Sequence, residues 1–446
     1  MPEKADRPRP TSLLGRMLAN TAWLLGGKGF GALCSLAYLA ILARSLGLKD
    51  FGHFSLIFAS AQALIALVGF ETWRTVVRYG AAHVHAKDWG AFGRLAMLAG
   101  LLDVVGALLG VGIAWTIYYQ FDEMLGLNTA LRDDAFLFTC AMVFALVSAP
   151  TGIVRALDRF DVAVYVEAVV PLGRLIAAVA IWLTGPSLFR FLFAWAAIDL
   201  IEALLYWIVA RKLSPQAIRL RNLRNWRRAT EDNPGIGRFV LITWGSAALD
   251  AVFKQGPLLA VGYLVSTRAA GLFRLAAQLS QGLGKLSTLL MRAAYAEITR
   301  ARVSAEPAEF RKLVQNTSLL AAGAGALVLL LAILLGRQLL ELIGGAEFGA
   351  AYVILIPLTV AACFELASVA FEPVLHSTGR ARQALIARLA GLAAMVTGVV
   401  FLLGNEAAGQ IAVAVAVGGA VTYCVLGIMA LRTLRKLEHL PHPAAG

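Results

Sequence analysis

Thirteen ionisable residues interrupt the long apolar runs of this chain: the bases Lys28, Arg174, Lys254, Arg274 and Lys285, and the acids Glu71, Asp103, Glu167, Asp199, Glu202, Asp250, Glu365 and Glu372. A Lys or Arg at the centre of a membrane span costs about 2.5–3.5 kcal/mol on insertion scales, so such residues face a cavity or a partner and are functional candidates by default. Arg274, Gln278, Gln281, Lys285, Thr288 and Arg292 step by 4, 3, 4, 3 and 4, which puts all six on one helical face. That stripe fits a polar cavity wall, with a hydrogen-bonded seam between helices as the alternative. Thr243, Ser246, Asp250 and Lys254 step by 3, 4 and 4; the i,i+4 pair Asp250 and Lys254 either binds something or neutralises itself. Lys28, flanked by Gly27 and Gly31, needs an acidic partner or water at its depth. If the faces carrying them meet, Lys28, Lys254, Arg274 and Lys285 outnumber Asp250 and would line a substrate-binding cavity with Gln278 and Gln281. Such a cavity suits an anion and repels a cationic drug. Asp250, Asp103 and Asp199, the last with Glu202 one turn on, are candidates for a coupling proton or ion, inter-helix hydrogen bonding being the alternative. Glu167 and Arg174, seven apart around Pro171, are expected to pair with each other.

Other chemistries lack their residues. There is no P-loop, no GxSxG, no HExxH and no acidic cluster in a domain outside the apolar runs, and the six His do not pair at metal spacing. Cys34, Cys140, Cys363 and Cys424 lie in apolar runs with neither metal-ligand nor disulfide-framework spacing. No catalytic residue, metal or cofactor is expected, nor ATP hydrolysis by the chain itself.

These residues must be positioned by membrane helices. Of the 446 residues, 59% are hydrophobic and only 15% charged, and the mean hydropathy is +0.73. A soluble domain carries roughly a quarter charged residues, so a globular cytosolic enzyme is excluded. Twelve segments reach the roughly 20 apolar residues that a span needs: 20–43, 53–73, 95–118, 134–154, 162–184, 189–210, 238–264, 270–291, 315–336, 350–372, 383–403 and 408–431. With the N-terminus inside, the cytoplasmic connections hold 29 of the 40 Lys and Arg, so both termini are expected in the cytoplasm. The net charge of +13 then reads as topology and contact with an anionic lipid bilayer, with no nucleic-acid partner. The first apolar run is too long for a signal peptide and is kept in the protein.

The organisation expected is a tail at 1–19, an N-lobe of six spans at 20–210, a basic cytoplasmic linker at 211–237, a C-lobe of six spans at 238–432 and a tail at 433–446. In the linker, Arg219, Arg221, Arg224, Arg227 and Arg228 interleave with Leu220, Leu223 and Trp226, a pattern that fits an interfacial amphipathic helix or a plain tether. The lobes echo each other. Gly52/Gly271, Phe54/Phe273, Leu56/Leu275 and Gln62/Gln281 lie 219 residues apart, and Arg159/Arg380 lie 221 apart, as in two parallel repeats.

The stretches Asn20-Thr21-Ala22-Trp23 with Lys28, Leu39-Ala40-Ile41-Leu42-Ala43-Arg44-Ser45-Leu46-Gly47 and Asp50-Phe51-Gly52-His53-Phe54-Ser55-Leu56, with the span count, resemble the polysaccharide transporter family. This is the O-antigen-type flippase branch of the multidrug/oligosaccharidyl-lipid/polysaccharide exporter superfamily. The resemblance implies an all-α polytopic membrane protein of 12 transmembrane helices in two six-helix lobes around a central cavity. It also implies a non-enzymatic flippase of the bacterial inner membrane that carries polyprenyl-diphosphate oligosaccharides for surface polysaccharide biosynthesis, beside polymerase and export proteins. A multidrug antiporter of the same superfamily shares the architecture but should prefer acids in its pocket. A polysaccharide polymerase or ligase, the rival from another class, would need a sizeable outer loop, and none here exceeds about fifteen residues.

Overall fold

The structure, a computed structural model, describes residues 13–121, 129–282, 307–368, 370–377, 380–402 and 408–438, and of 13–28, 220, 307–313, 373, 376–377, 381, 402 and 436–438 only the backbone. Every long element among them is an α-helix. In hydrocarbon each backbone N–H and C=O must find its partner within the chain, which a helix achieves inside one segment. In chain order these are α1 (Leu13–Val68), α2 (Thr72–His85), α3 (Trp89–Gln120), α4 (Arg132–Phe144), α5 (Ser148–Ala156), α6 (Phe160–Glu167), α7 (Val169–Thr184), α8 (Leu188–Leu213), α9 (Leu220–Arg224), α10 (Arg228–Asp232) and α11 (Ile236–Leu264). There follow α12 (267–282), α13 (Pro307–Gly344), α14 (Tyr352–Ala367), α15 (Phe371–Ser377), α16 (Ala381–Leu402) and α17 (Ala408–Glu438).

Ten helical stretches among the described residues are long and apolar enough to cross a membrane. The first, Gly29–His85, has 57 residues and contains the second expected span and most of the first. The chain turns between them at Gly47, with φ 69° and ψ 176°, a backbone region that a residue without Cβ enters freely. The eighth expected span begins as α12, and its remainder lies outside the described residues.

Several expected spans are discontinuous. The fourth is divided into α4 and α5 and the tenth into α14 and α15, and each restarts with a proline in third position, Pro150 and Pro373. A proline has no N–H to give the preceding turn and is tolerated in the first turn of a helix. The fifth, α6 and α7, keeps helical dihedrals through Ala168 and loses only the bond that Pro171, four residues on from Glu167, cannot donate to its carbonyl. The second breaks after Val68 and restarts at Thr72, with Glu71 left-handed at φ 49°.

Two compact units are present. One comprises Met1–Ser45, Ile57–Glu123 and Leu127–Gln255; the other comprises Leu46–Leu56, Met124–Gly126 and Gly256–Gly446. In unit 1, α2, α3, α5 and α8 close on a core containing Val76, Phe92, Ile153 and Tyr206. The linker is part of this unit, and it is not the amphipathic helix that its pattern suggested. It forms two single turns, α9 and α10, because its apolar residues are taken up by the protein. Trp226 and Ala229 pack with Leu95, Leu98, Ile236 and Val240, Arg94 pairs with Asp232 at 2.7 Å, and His83 Nε2 bonds Asn233 Oδ1 at 2.9 Å.

In unit 2 the echoed glycines meet each other. A Cβ at Gly271 would sit 2.8 Å from the carbonyl oxygen of Leu48 and 3.3 Å from Gly52 Cα, and a Cβ at Gly52 would collide with the carbonyl of Thr267. Leu48 and Thr267 are themselves 219 residues apart, so the contact is reciprocal, as between elements related by a two-fold axis. The Arg159/Arg380 echo is structural too. Arg159 N donates to Val154 O at 3.2 Å and Arg380 N to Leu375 O at 2.8 Å, the 6→1 bond that closes a helix end, again at an offset of 221.

Gly52→Ala and Gly271→Ala each force backbone apart and should destabilise the detergent-solubilised protein by about 1–3 kcal/mol. Gly112→Ala, where a Cβ meets nothing within 4 Å, should leave the thermal midpoint unchanged or raise it. Equal melting of all three variants would contradict the close contact.

Candidate functional site

The polar groups of unit 1 form three connected assemblies. The deepest is centred on Asp103, about 21 Å along α3 from its start at a rise of 1.5 Å per residue. Its Oδ1 accepts from Thr72 Oγ1 at 2.7 Å and its Oδ2 from Ala149 N at 2.7 Å. Thr72 opens α2 and Ala149 is in the first turn of α5, so one buried carboxylate serves the restarts of two broken helices. First-turn N–H groups have no partner within their own helix, and a carboxylate is favoured at the positive end of the helix dipole. Ser148 Oγ accepts from Trp73 N at 3.0 Å and ties the two restarts together a second time.

The second assembly is an ion pair. Arg174 Nη2 donates to Asp199 Oδ1 and Oδ2 at 2.7 and 2.8 Å, and the side chains are only 9% and 12% exposed. The guanidinium lies 5.4 Å from the Phe58 ring and 5.6 Å from Trp195, and Tyr38 meets Trp195 edge-on at 5.3 Å. Aromatic faces stabilise a desolvated cation. The expected pair of Glu167 with Arg174 does not form. Glu167 Oε1 accepts from Arg155 Nη2 at 2.9 Å and from Tyr206 OH at 3.2 Å. Ala168 between them keeps helical dihedrals, φ −71° and ψ −17°, and seven residues of helix separate Glu167 from Arg174 by about 10.5 Å along the axis, so each takes the partner at its own depth.

The third assembly runs outward from that pair. Arg155 stacks 4.7 Å from the Trp73 ring, Trp73 Nε1 donates to Glu71 Oε2 at 2.8 Å, and Arg74 Nε donates to the same oxygen at 3.0 Å. Arg155 lies in the last turn of α5. The signal that could have placed it is Pro150, which marks a helix restart just before it. Glu372, on the tenth expected span, pairs with Arg388 at 2.8 Å.

The cationic set is placed only in part. Lys254 is exposed on α11 and belongs to unit 1, with Asp250 half-buried one turn before it. Arg274 and Gln278 are half-buried and Gln281 exposed, on one face of α12 in unit 2. The Lys28 side chain, Lys285, Thr288 and Arg292 lie outside the described residues.

Three comparisons bear on this arrangement. The family described as polysaccharide biosynthesis protein matches residues 17–302. The chain is 27% identical over 340 residues to the inner membrane protein YghQ of Escherichia coli K12, covering 75% of this chain and 94% of that one. Among solved structures, an inward-facing multidrug resistance MATE transporter of the MOP superfamily superposes with a TM-score of 0.74 at 14% identity, covering 92% of this chain and 96% of that one. The lipid II flippase MurJ, in an inward closed conformation, gives 0.70 at 10% identity, covering 94% and 90%. The fold is therefore that of the MOP-superfamily transporters, in a multi-pass protein of the bacterial inner membrane.

Asp103→Asn should fold, its carbonyl accepting from Ala149 N–H and its amide donating to Thr72 Oγ1. Asp103→Leu leaves both groups unmatched in an apolar interior at about 1–3 kcal/mol each, read as a lowered thermal midpoint in detergent. An Asn variant that folds but fails to transport would make Asp103 a proton carrier. Arg174→Met, which leaves Asp199 buried without its partner, should cost about 3–5 kcal/mol, and Arg174→Met/Asp199→Leu should recover most of it.

Proposed function

The chain belongs to the polysaccharide biosynthesis protein family, and from that premise we propose that it is a flippase, not an enzyme. It moves polyprenyl-diphosphate-linked oligosaccharides across the bacterial inner membrane during synthesis of a surface polysaccharide such as O-antigen, capsule or exopolysaccharide. The observation that carries this reading is the family match combined with a fold shared with a lipid II flippase over 94% of the chain. The bases in its apolar runs fit such a substrate. In the proposed architecture of twelve spans, with cytoplasmic termini and two lobes of six, the lipid tail stays in the bilayer while the head group enters a wet cavity. Lys28, Lys254, Arg274 and Lys285 replace water around the diphosphate, with Gln278 and Gln281 donating to sugar or phosphate oxygens. Rocking of one lobe against the other exposes the cavity outward. An inside-negative potential favours outward movement of an anion by about 2.3 kcal/mol per charge per 100 mV, and Asp250 is the acid placed to add ion or proton counter-transport. Asp103 and Asp199, engaged as described above, serve the fold in this reading. Polymerase and export proteins of the same pathway are the expected partners beside the anionic bilayer.

A second reading, cation-coupled multidrug efflux, draws on the fold shared with a multidrug transporter and on the acids of unit 1. Gene deletion separates the two. A flippase mutant loses a surface glycan while lipid-diphosphate-linked intermediates accumulate at the cytoplasmic face; normal glycan with dye hypersensitivity would sink the flippase reading. Lys285→Ala and Lys28→Ala should each abolish glycan export at normal protein level, and Lys285→Arg should retain part of it. If Lys285→Gln/Asp250→Asn recovers export that Lys285→Gln loses, Lys285 neutralises Asp250 and does not bind the diphosphate.

A further inference from the structure

The linker end of unit 1 carries cations that none of these roles uses. Arg78, exposed on α2, has its guanidinium 4.4 Å from the Phe239 ring and 5.6 Å from the Tyr79 ring, and those two rings meet edge-on at 5.9 Å. Arg227, exposed in the linker, lies 5.5 Å from the Trp226 ring. Tyr79 and Trp226 pack on one apolar cluster, formed by Leu95, Leu98, Ala229, Ile236 and Val240. Two guanidiniums are thus held on rings that share a single base. Neither makes an ion pair within 4.0 Å among the described residues. Of the nearby acids, Asp232 is taken by Arg94, and Glu231 is exposed on α10 with no ion pair among the described residues. Phe239 is three residues, about 4.5 Å, inside the start of α11, and aromatic residues at that depth mark the membrane–water interface.

We propose that Arg78 and Arg227, set on Tyr79, Phe239 and Trp226, form a binding site for the phosphate of an anionic phospholipid head group. Orientation of loops by positive charge needs only Lys and Arg in mobile connections. Here the linker is docked, and the guanidiniums of Arg78 on α2 and Arg227 in the linker each lie against aromatic rings, which lowers the entropy lost on binding and presents planar donors suited to two phosphate oxygens. A bilayer supplies such a phosphate at the interface, where aromatic rings concentrate. The proposal goes beyond the flippase reading and does not depend on which substrate is carried.

The test uses the full-length protein in a neutral detergent, titrated with phosphatidylglycerol, phosphatidylcholine or inorganic phosphate, and reads bound lipid by native mass spectrometry beside the thermal midpoint. Phosphatidylglycerol should bind and stabilise, and phosphatidylcholine should not. Arg78→Gln/Arg227→Gln should weaken phosphatidylglycerol binding about 30-fold, from roughly fivefold for each cation near a membrane surface. Arg78→Lys/Arg227→Lys, which keeps charge but loses the planar stack, should fall between, and it carries the test if the Gln variant does not fold. Lys49→Gln, a cation of unit 2, should bind as the parent does. Undiminished binding by the Gln variant, or parent-like binding by the Lys variant, would overturn the site. So would equal stabilisation by inorganic phosphate, which indicates a free-anion site, or displacement of the lipid by an acidic protein.

Discussion

The carboxylate of Asp103 is the interaction on which unit 1 depends. A membrane interior offers no water to an unpaired N–H, so a helix that stops and restarts within a span must have its new first turn capped by the protein itself. Two helices restart beside Asp103, and its two oxygens reach one of them through a backbone N–H and the other through the hydroxyl of its first residue. With Ser148 bonded to Trp73, α2 and α5 are held as one piece. That fixes Trp73, Arg155 and Glu71 relative to one another and carries the network as far as Glu167 and Tyr206.

Partners on neighbouring helices explain how an apolar unit accommodates so many charges. Residues two turns apart on one helical stretch lie about 10.5 Å apart along its axis and meet different neighbours. Glu167 and Arg174 do this, one bonded to Arg155 on α5 and the other to Asp199 on α8. The resulting pairs keep cations and acids mutually satisfied, as the cost of an isolated charge in a low-dielectric interior demands.

The repeat is visible at the level of backbone contacts. Leu48 against Gly271 and Thr267 against Gly52 is one contact made twice, and it requires Gly271 and Gly52 to lack a Cβ. The same helix-closing hydrogen bond recurs at Arg159 and Arg380. A sequence match confined to a few residues thus marks the places where close approach or a tight helix end leaves few alternatives, while lipid-facing positions between them have only to be apolar.

Composition alone placed this chain in a bilayer, and the distribution of apolar runs marked out the helices, because hydrocarbon accepts little else. The glycine echoes were legible for a related reason: only one residue type fits where backbones touch. The opening stretches around Lys28 and Asp50–Leu56 pointed to the family that the match over residues 17–302 bears out. Tertiary structure decided the rest. Spacing on one helical face suggested that Glu167 pairs with Arg174, whereas Arg155 and Asp199 on neighbouring helices are the partners they take. The alternation of Arg with Leu and Trp in the linker suggested a helix lying on the membrane, whereas Trp226 and Ala229 are packed into unit 1. Periodicity reports which residues share a face only while the helix lasts, and it does not report which surface that face meets. Those two things depend on chain segments far away in sequence, which is why the ion pairs of unit 1 became legible only in three dimensions.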